Sequence, residues 1–153
     1  MKPDSEGGFL IAKIHQVSGR IFDRLLKNAG LGSINSGQGR ILFALWQEDG
    51  IPISTLSSRT QLEKSTLTAM LDRLEADGLL ERVASRDDRR KILIRSTGKN
   101  RRLESKYLSV SRAMAGIFYG DWGKTEIRGF ELKLKELLDN LMQEERRVRS
   151  VKD

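Results

Sequence analysis

The spacing of apolar residues changes in one region of this chain, and that change constrains the fold more than any other feature. From residue 9 to about residue 78, and again from residue 98, apolar side chains recur every three or four positions, as on one face of a helix. Between Leu80 and Arg95 they alternate instead, around a polar tip from Arg86 to Arg90. The sequence therefore predicts a mainly α fold with one small β-hairpin.

Glycines and capping residues divide the helical regions into six predicted helices. In chain order the helices begin near residues 9, 36, 54, 64 and 98, and just after Gly123. Ser36 and Ser54 are the predicted N-caps of the second and third helices, and Gly78 ends the fourth. The charged end, residues 144–153, is predicted to fray.

The order of these elements predicts a winged helix-turn-helix with a two- or three-stranded β-wing. We predict a single domain over residues 1–153. Within it, a winged DNA-binding part covers 33–97, and helical dimerisation parts cover 8–30 and 98–149. A winged unit of about 60 residues is too small to cover the wide apolar faces of the first, fifth and sixth helices. A second copy of the chain is the simplest partner for them, so we expect a homodimer.

Composition argues against several classes of protein. The chain has no cysteine, which excludes disulfides, thiolate zinc sites and thiol-based redox sensing. One histidine and no phosphate-cradling glycine motif leave little for catalysis, so we predict neither an enzyme nor a cofactor or metal. No apolar run is long enough to cross a membrane, and Met1 to Gly8 does not resemble a signal peptide. We therefore expect a cytoplasmic protein.

Positive charge is concentrated in the hairpin region. The net charge is +7, and between Glu81 and Arg102 nine basic residues against three acidic ones leave +6. A projecting hairpin rich in arginine is suited to the phosphate backbone of DNA and to a narrow minor groove. The alternative is an ordinary charged, solvent-exposed hairpin. The candidate DNA contacts in the hairpin are Arg86, Arg89, Arg90 and Lys91.

The start of the fourth predicted helix is suited to the major groove. Its apolar residues lie on one side, and small hydroxyl and methyl groups lie on the other. Hydroxyls can bond base edges or phosphates, an alanine methyl can meet a thymine methyl, and the helix N-terminus favours phosphate. Alternatively, Ser65 and Thr66 only begin the helix. The candidate DNA contacts here are Lys64, Ser65, Thr66, Thr68 and Ala69.

Residues 53–97 resemble the MarR family of bacterial and archaeal regulators. The first signal is STLTAMLDRLEADGLLER, from Ser65 to Arg82, which is similar to the family's recognition helix passing into its wing. The second is RDDRRKILIRSTGK, from Arg86 to Lys99, which is similar to the wing tip, a strand and a helix cap. The resemblance implies a triangular dimer that binds double-stranded DNA specifically, as a repressor on a pseudo-palindromic operator.

The resemblance also assigns roles to individual residues. It implies that the hydroxyl residues of the fourth helix face the major groove, and that Arg90 enters the minor groove. Arg73 resembles an arginine that supports the wing, with Asp88 as its carboxylate partner, and we count Arg73 among the DNA-binding residues. Two positions depart from the family: Ala69 stands where some members carry a base-reading arginine, and Glu63 stands where a serine or aspartate cap is better.

A small-molecule effector is a further implication of the resemblance, because the family often binds anionic aromatic ligands between its helical and winged parts. Candidates by helix position are His15, Arg20, Trp46 and Arg112. The alternatives are a surface or dimer-interface position for His15 and a core position for Trp46. The alternative function for the whole chain is a winged-helix module that binds protein or RNA without operator specificity.

Overall fold

A computed structural model describes residues 4–151 of the 153-residue chain. Within that range the helices are α1 (Gly7–Asn28), α2 (Ser36–Gln47), α3 (Ile53–Thr60), α4 (Lys64–Ala76), α5 (Gly98–Tyr119) and α6 (Lys124–Ser150). The strands β1 (Ile51–Pro52), β2 (Leu80–Ala84) and β3 (Ile92–Ser96) form one antiparallel sheet in the order β1-β3-β2. The predicted mainly α fold with a small β-wing is confirmed.

The tight turn between α3 and α4 makes the helix-turn-helix. Gln61 adopts a left-handed backbone conformation with φ of 55° at the end of α3, and its side-chain amide donates to the Ser58 carbonyl. The Ser57 hydroxyl donates to the Leu62 carbonyl at 2.8 Å. As expected for a poor capping residue, Glu63 precedes α4 without a side-chain cap hydrogen bond. These contacts fix the position of α4 relative to α3.

The wing is a two-stranded hairpin anchored by β1. Gly78, with φ of 72°, turns the chain from α4 into β2, and β2 then pairs with β3 from Leu80↔Ser96 to Ala84↔Ile92. On its other edge β3 pairs with β1 through Ile51↔Ile94. The central strand is therefore held on both sides, and β2 is the outer strand.

A leucine-rich core joins α1 to the winged part and to the start of α5. Leu26 of α1 is fully buried with Leu42 of α2 and Leu71 of α4. Tyr107 of α5 packs against α2 at Gly39, where a side chain would overlap the tyrosine ring. The winged part is thus packed against helices on both sides of it in sequence.

Two predicted helix caps differ from those in the structure. Asn35, rather than Ser36, caps α2, because its Oδ1 accepts from the Gln38 amide at 2.8 Å while Gln38 Oε1 accepts from the Asn35 amide. This reciprocal pair satisfies two backbone N–H groups at the helix start. At α3 the cap position is Pro52 rather than Ser54, since β1 runs directly into the helix.

The charged end of α6 does not fray at residue 144. The helix continues to Ser150, and ion pairs one turn apart join Arg147 to Glu144 and Arg149 to Glu145. Oppositely charged residues at this spacing stabilise a helix modestly, and the basic residues lie where the helix dipole favours them. The prediction overlooked this pairing. Residues 152 and 153 lie outside the described part.

The chain divides into two compact units between Met114 and Ala115. The first contains α1 to α4, the sheet and most of α5. The second contains the end of α5 and all of α6, where the Tyr119 hydroxyl donates to Glu131 Oε1 at 3.0 Å and the Trp122 and Phe130 rings meet edge to face. None of the helices within residues 4–151 is long and apolar enough to cross a membrane.

Candidate nucleic-acid interface

The first two turns of α4 present five exposed residues: Lys64, Ser65, Thr66, Thr68 and Ala69. They surround Leu67, which is fully buried and anchors this face of the helix to the core. The Thr68 hydroxyl donates to the Lys64 carbonyl at 2.8 Å. Its hydrogen is thereby engaged within the helix, so Thr68 offers a base edge its oxygen lone pairs and its methyl group.

The wing tip is a closed turn that holds its cations outward. The Ser85 amide donates to the Lys91 carbonyl, and the Lys91 amide donates to the Asp88 carbonyl, both at 2.9 Å. Asp88 Oδ1 also accepts from the Arg90 amide at 3.0 Å and lies 3.6 Å from Arg90 Nε. Arg86, Arg89, Arg90 and Lys91 are all exposed, and 95% of the Arg90 side chain is accessible. The tip therefore carries four accessible cations on a hydrogen-bonded frame.

A groove of about 680 Å³ lies between the wing and the start of the helix-turn-helix. Its basic lining comes from Lys64 at the start of α4 and from Arg90 and Lys91 of the wing. The rest of its lining is Pro52, Ile53, Ser54, Thr55, Ser57 and Ile92. The α3 N-terminus at this groove adds backbone N–H groups that attract anions. The groove therefore combines three cations with a helix N-terminus, an arrangement that suits phosphate groups.

Arg73 and Asp88 do not form the predicted pair, which is a correction to the sequence analysis. Arg73 instead lines a separate depression of about 360 Å³ with Asn35, Gln38 and others, next to the start of α2. Asp88 contacts Arg90 within the wing tip. Successive residues of a helix point about 100° apart, and Arg73 follows directly after the residue that faces β2. The Arg73 side chain is therefore turned away from the wing.

That residue is Asp72, and the contact between α4 and the wing is made by Arg82. Arg82 Nη2 donates to Asp72 Oδ1 at 2.7 Å, and Nη1 donates to Glu75 Oε2. Partial burial lowers the pKa of Arg82, but hydrogen bonds to the two carboxylates more than offset this, and the pKa lies above its usual value. We call these three residues the Arg82 clamp. The sequence analysis did not predict this contact. Two acidic residues three positions apart on α4, followed by an arginine on the next strand, could have indicated it.

The four effector candidates occupy different environments. His15, Arg20 and Arg112 are exposed on α1 and α5, and Arg20 lines a shallow depression formed by residues of α1 alone. Trp46 is half-buried and packs against the core, where its Nε1 donates to Asn100 Oδ1 at 2.8 Å. Among the described residues there is no group of three His, Cys, Asp or Glu side chains placed to hold a metal ion.

Comparison with known proteins gives a consistent result. Residues 34–92 match the model of the MarR family. The chain is 32% identical over 114 residues to the HTH-type transcriptional regulator TtmR of Methylorubrum extorquens, which is 74% of this chain and 57% of that protein. The four curated relatives that it matches are all transcriptional regulators and none is an enzyme, and the chain spans 52–67% of their lengths.

Solved structures share the fold over nearly their whole length. A MarR transcriptional regulator from Methanosarcina mazei has a TM-score of 0.77 at 23% identity, covering 89% of this chain and 96% of that one. BpsR of Bordetella bronchiseptica, whose DNA binding is regulated by 6-hydroxynicotinic acid, has a TM-score of 0.81 at 20% identity, covering 91% and 97%. At these identities the likeness establishes the winged-helix fold and no more.

Proposed function

Because the chain belongs to the MarR family, we propose that it is a transcriptional repressor that binds double-stranded DNA as a homodimer on a pseudo-palindromic operator. The observation that carries this proposal is the groove where Lys64, Arg90 and Lys91 meet the start of α3, beside the exposed face of α4. A phosphate in that groove would place α4 and the wing tip against the same duplex. Residues 33–97 would make this contact, and residues 8–30 and 98–149 would form the dimer.

The proposal is tested by comparing substrates in a band-shift assay. The purified protein is mixed with a duplex selected from a random library, with either single strand of it, and with RNA of the same sequence. A DNA-binding regulator binds the duplex far more tightly than the other three. Equal binding to RNA, or no preference for the selected duplex over a scrambled one, would favour the alternative of a binding module without operator specificity.

The two elements of the interface have different tasks. Phosphate contacts supply affinity without sequence information, whereas base-edge contacts discriminate between sequences. The cations are on the wing tip and at the start of α4, and the small side chains of Thr68 and Ala69 are on the helix face. The wing therefore supplies most of the charge, and the helix supplies the base contacts.

Replacing Thr68 by alanine tests the role of the helix. The substitution removes the lone pairs that face outward and one methyl, and it also removes an internal hydrogen bond to Lys64. We expect the preference for operator over scrambled duplex to fall by about 1 kcal/mol, the low end for a base contact. Fluorescence anisotropy titrations on both duplexes measure this, with Ala76→Ser, further along α4, as the control. An equal loss of affinity for both duplexes would contradict the assignment.

Exposed apolar stripes on α1 and α6 support the homodimer. No residue of α6 is buried within the chain, although Leu132, Leu137, Leu138 and Leu141 lie along it. On α1 the exposed apolar residues are Phe9, Leu10, Ile11, Ile14 and Val17. Several exposed apolar side chains along one helix mark an interaction site. A second copy would bury it and would also match the symmetry of a palindromic operator.

Analytical ultracentrifugation at micromolar concentration should therefore show one species of twice the 17.4 kDa chain mass. Replacing Leu137 and Leu141 by aspartate should convert it to monomer, because charged groups would then lie within the apolar contact. The matched control places two aspartates at the exposed, uncharged Asn140 and Gln143, which changes the net charge by the same amount on another face of α6. A folded wild-type monomer at this concentration would overturn the dimer.

A small anionic aromatic effector that releases the DNA completes the proposal. The support is the effector of BpsR, 6-hydroxynicotinic acid, together with the exposed His15, Arg20 and Arg112 on α1 and α5. A screen of aromatic carboxylates for disappearance of the band-shift complex would identify such a compound. Weakened release in Arg20→Ala and Arg112→Ala would support these two residues as the contacts.

A further inference from the structure

We propose that Arg82 is a positioning residue, which through the Arg82 clamp fixes the angle between the wing and α4 so that both engage one duplex. The inference rests on the proposed DNA binding and adds to it a residue that does not itself need to touch DNA. Three features of the molecule support this role. They are the attachment of β2 to α4, the distance from Arg82 to the wing tip, and the pairing of Arg82 with the carboxylates of Asp72 and Glu75.

The two strands of the wing are attached to the rest of the fold in different ways. The central strand β3 is held by β1 on one edge and by the Ser96 amide, which donates to Asp49 Oδ1 at 2.7 Å. The outer strand β2 is held by β3 on one edge. On α4 its polar side-chain partners are Asp72 and Glu75, and Glu75 Oε1 also accepts from the Arg82 amide at 3.4 Å. The clamp therefore joins the outer strand directly to the recognition helix.

The reach of the wing makes its angle matter. The tip lies about 10–15 Å beyond Arg82, at about 3.3 Å per residue along a strand. A change of about 20° in strand direction would carry the tip sideways by about 4 Å, comparable with the minor groove width of about 6 Å. The internal hydrogen bonds of the tip preserve its shape but do not fix its direction. Direction has to be set where the hairpin meets the rest of the fold, and Arg82, in the middle of β2, is where it meets α4.

The geometry of the clamp suits this task. The Arg82 side chain is only 21% exposed, and its planar guanidinium holds carboxylates that lie one turn apart on α4. A rigid fork with two separate partners restrains direction, which a single flexible contact does not. Asp72 is also four residues after Thr68, so it lies on the same face of the helix as the proposed base contact.

One variant separates an effect of net charge on DNA affinity from an effect of wing position, because the two effects change the affinity in opposite directions. Asp72→Asn with Glu75→Gln removes two negative charges beside the DNA and releases a cation. On charge alone, this variant binds DNA more tightly than wild type. If Arg82 acts through position, the variant binds the selected duplex at least fivefold more weakly, because the released wing no longer meets the groove held by α4.

The matched control is Glu81→Gln with Asp87→Asn. These two acids are exposed on β2 and the wing tip, and the substitutions change the net charge by the same amount without touching the clamp. We expect the control variant to bind the selected duplex more tightly than wild type. Arg82→Lys keeps the positive charge but removes the planar fork that holds two carboxylates. We expect it to weaken binding to the selected duplex, as the loss of both carboxylates does.

The experiment measures anisotropy titrations at several salt concentrations, hydroxyl-radical footprints of each complex, and protection of guanine N7 from methylation by dimethyl sulfate. Circular dichroism melts confirm that each variant is folded. In complexes with the clamp variants, the DNA should lose minor-groove protection where the wing binds and should retain protection of guanine N7 under α4. A merely structural role for Arg82 would weaken both regions together and would overturn the proposal. Tighter binding by the variant with both carboxylates replaced would also overturn it.

Titration of the wild-type protein tests DNA binding itself, whereas the footprints of the clamp variants test the role of Arg82. If wild-type protein binds the selected duplex and the clamp variants protect both grooves as it does, the DNA-binding function stands and the positioning role of Arg82 falls. If wild-type protein binds no duplex in the same titration, the proposed function falls, and the clamp inference falls with it.

Discussion

Replacing Gly39 by alanine should destabilise the first unit by about 3 kcal/mol, the upper end for overpacking a core. A Cβ at this position would overlap the Tyr107 hydroxyl oxygen and would lie 2.7 Å from Cζ and 2.8 Å from Cε2. Tyr107 cannot easily yield, because its ring meets Phe22 and Trp46 edge to face with centroids 5.7 and 4.9 Å away. Burial also raises the pKa of Tyr107 to about 12, as expected for a tightly enclosed phenol.

The measurement is a thermal and urea unfolding series. A loss of this size corresponds to a fall in Tm of roughly 6–12 °C for a chain of this length. The control is Gly129→Ala on α6, where a Cβ meets nothing within 4 Å. That substitution should stabilise the helix by about 0.5–1 kcal/mol, because it removes the conformational cost of glycine. Equal effects of the two substitutions would contradict the close approach of α2 and α5.

Replacing Arg86, Arg89, Arg90 and Lys91 together by alanine should reduce affinity for every duplex at least 100-fold near physiological salt. All four side chains are exposed on the wing tip, and a dimer would lose each of them twice. The slope of log K against log salt should fall by about 0.9 for each phosphate that the protein no longer neutralises. Discrimination between operator and scrambled duplex should change less than affinity, because phosphate contacts carry no sequence information and only Arg90 is expected to enter the minor groove, whose width depends on sequence.

The control for this variant replaces four exposed cations elsewhere by alanine: Lys106, Lys124, Arg128 and Lys135. Net charge changes equally, so any difference between the two variants reports on location. Salt titrations of both variants on operator and scrambled DNA provide the measurement. If the control loses as much affinity as the wing variant, long-range attraction rather than direct binding by the wing accounts for the affinity.

Much of the fold could be predicted because its boundaries depend on local chemistry. Gly78 has the positive φ that ends α4, and the Asn100 amide donates to Thr97 Oγ1, so that Thr97, one of the two hydroxyl residues Ser96 and Thr97 before the helix, caps α5. The change from helical to alternating spacing located the wing strands to within a residue or two. The two-residue strand β1 is too short to produce a pattern of its own.

The candidate site was only partly predictable, because it depends on directions in three dimensions. Exposure of Lys64 and Thr68 follows from the helical spacing around Leu67. Which residue of α4 meets the wing depends on the path of β2 after Gly78, which the sequence does not specify. Arg73 and Asp72 are neighbours in sequence, yet they face different surroundings. The resemblance to a family supplied the idea of a supporting arginine but assigned it to the wrong position.

The left-handed residue in the helix-turn-helix has a consequence for how such a chain can evolve. A residue with a side chain adopts this conformation at a cost of about 1–2 kcal/mol, which glycine does not incur. Gln61 recovers part of that cost through its bond to the Ser58 carbonyl. Glycine at this position would remove that cost, but it would add its own conformational cost of about 0.5–1 kcal/mol and lose the bond to Ser58. The two sides nearly balance, so the turn can accept either residue at little cost, and variation here leaves the proposed DNA-reading face of α4 unchanged.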